Sequence, residues 1–259
     1  VGRTKRRANR VVNAMPPFSP RRGRGGSARL RAAMRDVQAV IFDLDDTLWE
    51  VGPVILRAEH AMLEFLARRY PRVLELDTLD SMRDVRARMA LEHPAMRHDF
   101  TWLRLESLRH HAREAGYPST MAQEAFAVFY RARNEVTLYD DVLPALEQLH
   151  GRFRLFAISN GNADLEAIGI GRFFEHALAA REAGVLKPDP RIFALLLERA
   201  GVSPQHALHV GDDVVADVEG ARRAGLTPVW VDRAGDGWPA PTSPPVTVRS
   251  LAELVELLG

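Results

Sequence analysis

The chain has 259 residues, 46% of them hydrophobic and 27% charged, enough for one large domain or two small ones with a real core. It has no cysteine, which excludes disulfides, thiolate metal sites and cysteine nucleophiles and suits a reducing, cytoplasmic setting. No apolar stretch approaches the roughly 18–20 residues that span a bilayer, so no membrane partner is expected.

The net charge of +1 conceals an asymmetry. Residues 1–35 hold 11 of the 35 basic residues and no acid, which leaves 24 basic against 34 acidic residues from Asp36 onward. This Arg-, Gly-, Pro- and Ser-rich segment has no amphipathic period and reads as an unstructured basic tail. It also loosely fits an Arg-rich transit peptide, or sequence upstream of a translation start at Met15 or Met34. Such a charge offers electrostatic contact to nucleic acid, but no run of aromatics interleaves the arginines, which weakens a single-strand-binding reading.

From Asp36 on, strand-like and helix-like segments alternate, with one interruption. "VQAVIFDL" (37–44) is a continuous apolar run of strand length, as expected for a strand buried on both faces. Residues 53–134 then show helical periodicity in about four segments, punctuated by Tyr70-Pro71, "EHP" (92–94) and Gly116-Tyr117-Pro118. Next come strand-like "FRLFAIS" (153–159), "HALAA" (176–180), "HALHVGD" (206–212) and "TPVWVD" (227–232). Helix-like "PRIFALLLERAG" (190–201) and "VVADVEGARRAG" (214–225) lie between them. This pattern predicts an α/β fold with a doubly wound parallel sheet. The expected organisation is a core of residues 36–52 and 135–259, interrupted by a helical cap at 53–134. "GDGWPAPTSPP" (235–245) reads as a surface loop.

Open parallel sheets bind ligands beyond the carboxyl ends of their strands. The first strand delivers Asp43 and Asp45 there, and the second delivers Ser159, Asn160, Gly161 and Asn162. The loop after the third supplies Lys187. The fourth supplies Asp212 and Asp213, with Asp217 about one helical turn further. If the first strand continued as β, Asp43 and Asp45 would point to one side. Asp43 then suits a carboxylate nucleophile attacking phosphorus, and Asp45 an acid that protonates the leaving oxygen and later activates water. Crowded carboxylates repel each other and a phosphate. A hard cation such as Mg²⁺ resolves both problems, held by Asp43, Asp212 and a backbone carbonyl near Asp45, with Asp213 and Asp217 orienting its waters. Ser159 and the N–H groups of "SNGN" would hold phosphoryl oxygens, and Lys187 would add positive charge. The chain has 33 arginines and two lysines, Lys5 and Lys187, so a lysine at this place is itself a signal. Asp46 suits a turn cap.

"DLDDT", "SNG", "LKPDP" and "GDDVVAD" resemble the four signature motifs of the haloacid-dehalogenase-like hydrolase superfamily, in its helical-cap subfamily I. The resemblance covers the chain from about Val37 to its end. It implies a Rossmann-like core with an inserted cap. By position it assigns nucleophile to Asp43, acid/base to Asp45, phosphate contacts to Ser159 and Lys187, and metal binding to Asp43, Asp45 and Asp212. Members that dehalogenate attack carbon without a metal and lack an acid at the position of Asp45, so its presence favours a phosphatase. A phosphomutase shares nearly the same core.

"DDTLWEVGPVILRAE", "RHDFTWLR", "SNGNADL" and "LHVGDDVVADVEGA" are similar to a bacterial subgroup that dephosphorylates flavin mononucleotide and 5-amino-6-(5-phospho-ribitylamino)uracil. That resemblance implies a small phosphorylated metabolite as partner and a place in riboflavin biosynthesis. Phosphoglycolate and sugar phosphates stand as alternatives, as does a non-catalytic binding protein on the same core. Cap candidates for specificity are Arg57, His98, Asp99, Thr101 and Arg104. Asp99 and Thr101 equally suit helix N-capping before "WLRLESL", and Arg57 and Arg104 suit solvated helix faces. His93, His110 and His111 are expected on polar helix surfaces.

Overall fold

The computed structural model describes Met34 and residues 36–259. The expectations for the basic tail fall on residues outside these.

Six parallel strands form one sheet: β1 (Ala39–Phe42), β2 (Arg154–Ser159), β3 (His176–Ala179), β4 (Ala207–Gly211), β5 (Thr227–Val231) and β6 (Val246–Val248). Their order is β3-β2-β1-β4-β5-β6. The central strand β1 pairs with β2 on one side and β4 on the other. Strand order reverses at β1, so the crevice beyond its carboxyl end is where this topology places a ligand. Side chains alternate across β1 as the strand period requires: Val40 and Phe42 join one buried cluster, Ala39 and Ile41 the other.

Five helices form an insertion after β1: α1 (Val51–Arg69), α2 (Arg72–Leu76), α3 (Leu79–Glu92), α4 (Phe100–Glu114) and α5 (Thr120–Arg133). They bury a core of their own, in which Met62 and Leu66 of α1 meet Leu108 of α4 and Met121 and Phe129 of α5. Three further helices cover the sheet. Leu146 and Leu149 of α6 (Val142–Leu149) and Leu251 and Leu254 of α8 (Leu251–Leu258) pack on one face. Ile192, Phe193 and Leu196 of α7 (Pro190–Ala200) pack on the other. Among the described residues no helix is long and apolar enough to cross a membrane.

Three local expectations are corrected. The first strand does not continue to Asp45: it ends at Phe42, and Asp46 takes φ 60° in a turn closed by Leu48 N–H on the Leu44 carbonyl at 2.8 Å. The segment after β4 is not a plain α-helix but a π-helical turn, Val214–Glu219, followed by Gly220–Arg223. His111 is not on a polar surface; it is buried on α4 and bonds Asp77 at 2.7 Å, because the α2–α3 turn packs over that face.

Candidate active site

Asp43 follows the last residue of β1, and its backbone N–H extends the sheet by donating to the Val210 carbonyl at 2.8 Å. This fixes its side chain at the carboxyl edge, level with the ends of β2 and β4. Lys187 reaches the same point from the loop before α7. Its ammonium donates to Asp43 Oδ1 and, at 2.7 Å, to Asp217 Oδ1. Asn160 holds the Lys187 backbone at both ends: its Oδ1 accepts from Lys187 N–H at 2.8 Å, and its Nδ2 donates to the Lys187 carbonyl at 3.1 Å. The side chain of Asn160 therefore positions the lysine, a different place from the phosphate contact expected of it.

Asp217 has both oxygens engaged. Oδ1 also accepts from His209 Nε2 at 2.9 Å, and Oδ2 accepts from Asp213 N–H at 3.0 Å. Burial pulls the His209 pKa below its ordinary value, with the Asp217 carboxylate opposing. Burial would raise the Asp217 pKa, but Lys187 and His209 together hold it below the usual carboxylate range. The fit is tight: a Cβ on Gly211 would lie 2.3 Å from Asp217, so only glycine ends β4 here.

Asp212 stands at the end of β4, its Oδ1 accepting from Thr47 Oγ1 at 3.0 Å and its carbonyl from Trp230 Nε1 at 2.6 Å. Asp213 has a different place from that expected. Its carboxylate accepts from Val215 N–H and Ala216 N–H at 2.7 Å each, capping the π-helical turn. Asp46 caps the start of α1, accepting from Val51 N–H at 2.9 Å.

Asp45 lines the same cavity as Asp43, but from the turn rather than from a continued strand. Its carboxylate accepts from Trp49 Nε1 at 2.9 Å and from Arg133 at 2.7 and 2.8 Å. Arg133 is the last residue of α5, so the helical insertion reaches back to touch the turn after β1. A Cβ on Gly161 would lie 2.6 Å from Asp45 Oδ2, which explains the glycine of "SNG". Ser159 is buried, and its Oγ accepts from Gly161 N–H at 2.9 Å.

One carboxylate oxygen each from Asp43, Asp212 and Asp217 lies within 4.8 Å of the others. An all-oxygen donor set of this kind fits a hard divalent cation. Electrostatics agree. Burial drives the Asp43 carboxyl well above its ordinary range, with Asp217 and Asp212 pushing the same way and Lys187 opposing. Burial, then Asp217, raises Asp212 to about 7. Burial would lower the Lys187 pKa, yet Asp217 and Asp43 hold it above the ordinary lysine value. Negative charge therefore exceeds the positive charge available to it.

Because the folded-state pKa of Asp212 lies above its ordinary value of 3.8, its contribution to metal-free stability is complete below about pH 4 and is lost as pH rises through about 7. A bound cation offsets that loss. Magnesium should thus raise the melting temperature more at about pH 8 than at about pH 5. Thermal melts with Mg²⁺ or EDTA at both values check this, and an equal shift at both would contradict it.

The insertion supplies the rest of the cavity wall with Arg83, Arg86, Phe100, Leu103, Arg104 and Phe129, enclosing about 590 Å³. Of the specificity candidates only Arg104 lines this cavity. Arg57 lies on α1 and donates to the Glu135 carbonyl. Asp99 caps α4 by accepting from Trp102 N–H at 2.9 Å. Thr101 accepts from Asn162 Nδ2 at 3.1 Å, tying the insertion to the loop after β2. His98 stands partly exposed outside the cavity lining. Sequence reasoning missed Arg133, Trp49, Arg83 and Arg86, whose positions look like helix ends and solvated faces.

A family model for haloacid dehalogenase-like hydrolases matches residues 37–225. The chain belongs to the haloacid dehalogenase-like hydrolase family. It is 33% identical to the 5-amino-6-(5-phospho-D-ribitylamino)uracil phosphatase YigB of Escherichia coli K12, over 86% of this chain and 96% of that one. It is 31% identical to the phosphoserine phosphatase of Thermus thermophilus, over 84% and 98% of the two chains. A solved structure of 2-haloacid dehalogenase from Pseudomonas syringae pv. Tomato DC3000 superposes with a TM-score of 0.82 at 37% identity, over 86% and 98%. The family's fold is the parallel sheet described above.

Proposed function

We propose that this hydrolase cleaves the phosphomonoester of a small metabolite through an aspartyl-phosphate on Asp43. It is a phosphatase of small phosphorylated metabolites, like its relatives of E. coli, T. thermophilus and Methanopyrus kandleri. The observation that carries the mechanism is the convergence of Asp43, Asp45, Ser159, Lys187 and Asp212 on one cavity. A carboxylate oxygen of Asp43 forms a bond to phosphorus as the ester P–O bond breaks. Asp45, held by Arg133 and Trp49, gives its proton to the departing alcohol and takes one from the water that then attacks phosphorus. Ser159 and the N–H groups of the loop after β2 hold phosphoryl oxygens, and Lys187 balances the charge that builds on them. Asp43 and Asp212, with Asp217 beside them, would hold Mg²⁺, which when bound supplies positive charge to the phosphoryl group. Asp45 also favours phosphorus over carbon chemistry, despite the similarity to a dehalogenase structure.

For the substrate we favour flavin mononucleotide or 5-amino-6-(5-phospho-ribitylamino)uracil. The likeness to YigB supports this, and so does a cavity of about 590 Å³ with aromatic walls, more than a three-carbon ester fills. The insertion would act as a cap that excludes water during turnover. Phosphate release should be tested on these two compounds, phosphoserine, phosphoglycolate and sugar phosphates, with Mg²⁺ or EDTA. Release should require Mg²⁺ and be led by the ring-bearing esters. A lead by phosphoserine or a sugar phosphate would keep the chemistry and discard the substrate.

A further inference from the structure

The insertion places one fully buried carboxylate among three arginines. Glu59 of α1 receives Arg83 at 2.6 Å and Arg86 at 3.3 Å from α3, and Arg104 at 3.4 Å from α4. Arg83 is well paired, since it also reaches Asp80 at 3.2 Å. Arg86 and Arg104 share a single oxygen, Glu59 Oε1, each through one nitrogen and at long range. A guanidinium has five N–H donors. The side chain of Arg104 is only 9% exposed, yet no nitrogen of either arginine is sealed off without a partner. Both arginines line the cavity, and Glu59 engages only one nitrogen of each.

Holding the helices together needs fewer cations than this. One bidentate arginine would satisfy Glu59. The second and third bring surplus positive charge to the wall, at a desolvation cost that a purely structural role leaves unexplained. Apolar surface lies beside them. The Arg104 guanidinium sits 3.6 Å from the centroid of the Phe129 ring, and Phe100 lines the cavity while remaining 44% exposed.

We propose that Arg86, Arg104 and Phe100 form a second subsite, which binds the end of the substrate remote from its phosphate, and that this end is a planar ring carrying carbonyl acceptors, such as a pyrimidine dione. Two guanidinium forks match in-plane acceptors, and the phenyl ring takes the face of the ring. An amino-acid ester or a triose ester has no ring and leaves Phe100 without a stacking partner. The inference rests on the phosphatase reading and names the substrate class of that site.

The test compares kcat/KM of the full chain with Mg²⁺ for flavin mononucleotide and for ribitol 5-phosphate, which has the same phosphate and chain without the ring. Arg86→Met and Phe100→Ala are each at partly exposed positions and should fold. The ratio of the two kcat/KM values should fall roughly tenfold in each variant, mainly through KM. Binding of riboflavin, which has the ring and no phosphate, should weaken in parallel by fluorescence titration. A ratio and a riboflavin affinity unchanged within about twofold in both variants would overturn the subsite and leave the arginines as structural ties. Failure of the phosphatase reading looks different: wild type would release phosphate from neither ester, while the riboflavin titration still decides the subsite.

Discussion

Replacing Asp43 by asparagine is expected to lower phosphate release by about 10⁴-fold or more, with the fold intact. The amide keeps the shape and an acceptor for Lys187 but is no nucleophile. Lys187 retains its bond to Asp217 at 2.7 Å, so no cation is orphaned. Burial already disfavours a charge on Asp43, so its removal should leave the metal-free melting temperature equal or higher. Steady-state phosphate release and a thermal melt in EDTA together check the expectation. Full activity in the variant would remove Asp43 from the mechanism.

Lys187→Met is the opposite case, losing both activity and stability. The ammonium is the shared partner of two buried carboxylates, Asp43 and Asp217. Removing one member of a buried ion pair costs about 3–5 kcal/mol. Asp217 keeps His209 and the Asp213 N–H, and Asp43 takes up a proton, so the lower end applies. For a chain of this size, about 3 kcal/mol corresponds to a melting-temperature loss of roughly 6–12 °C in EDTA. The deficit should shrink toward acid pH, where both carboxylates are more readily neutral. Loss of charge next to the transferring phosphoryl group should lower kcat by about 10²–10³-fold. Lys187→Arg should not restore it, since a wide planar fork does not replace a compact ammonium shared by two buried carboxylates. A wild-type melting temperature in Lys187→Met would mean that the lysine balances no buried charge.

Much of this arrangement can be read from the chain because it depends on local sequence. Each core strand is a short run of mainly apolar residues; Asp43 and Asp212 directly follow such runs, Ser159 ends one, and Lys187 lies in the connection after the third. The parallel topology then brings Asp43, Ser159, Lys187 and Asp212 together without further information. The features that escape reading depend on distant partners. Glu59, Arg83, Arg86 and Arg104 lie on three helices at positions where charged residues are ordinarily solvated, and only packing of the insertion turns them inward. Arg133 looks like a basic residue favouring a helix C-terminus, yet it clamps Asp45 from 88 residues away. A continued strand would hold Asp45 beside Asp43 on one face. The turn at Asp46 instead aims it at Arg133, because a positive φ there reverses the chain. Asp99 and Asp213 follow the simplest rule available to them, capping the turns they precede.

The most direct test of the proposed chemistry is to quench the full chain with acid during turnover of flavin mononucleotide and Mg²⁺ and to map phosphate on its peptides by mass spectrometry. The account expects one phosphoryl group on the peptide containing Asp43, labile to hydroxylamine as an acyl phosphate is, and absent in Asp43→Asn. Turnover with phosphate on another residue, or steady phosphate release with no phosphoryl group on the Asp43 peptide at any quench time from the first turnover onward, would contradict it.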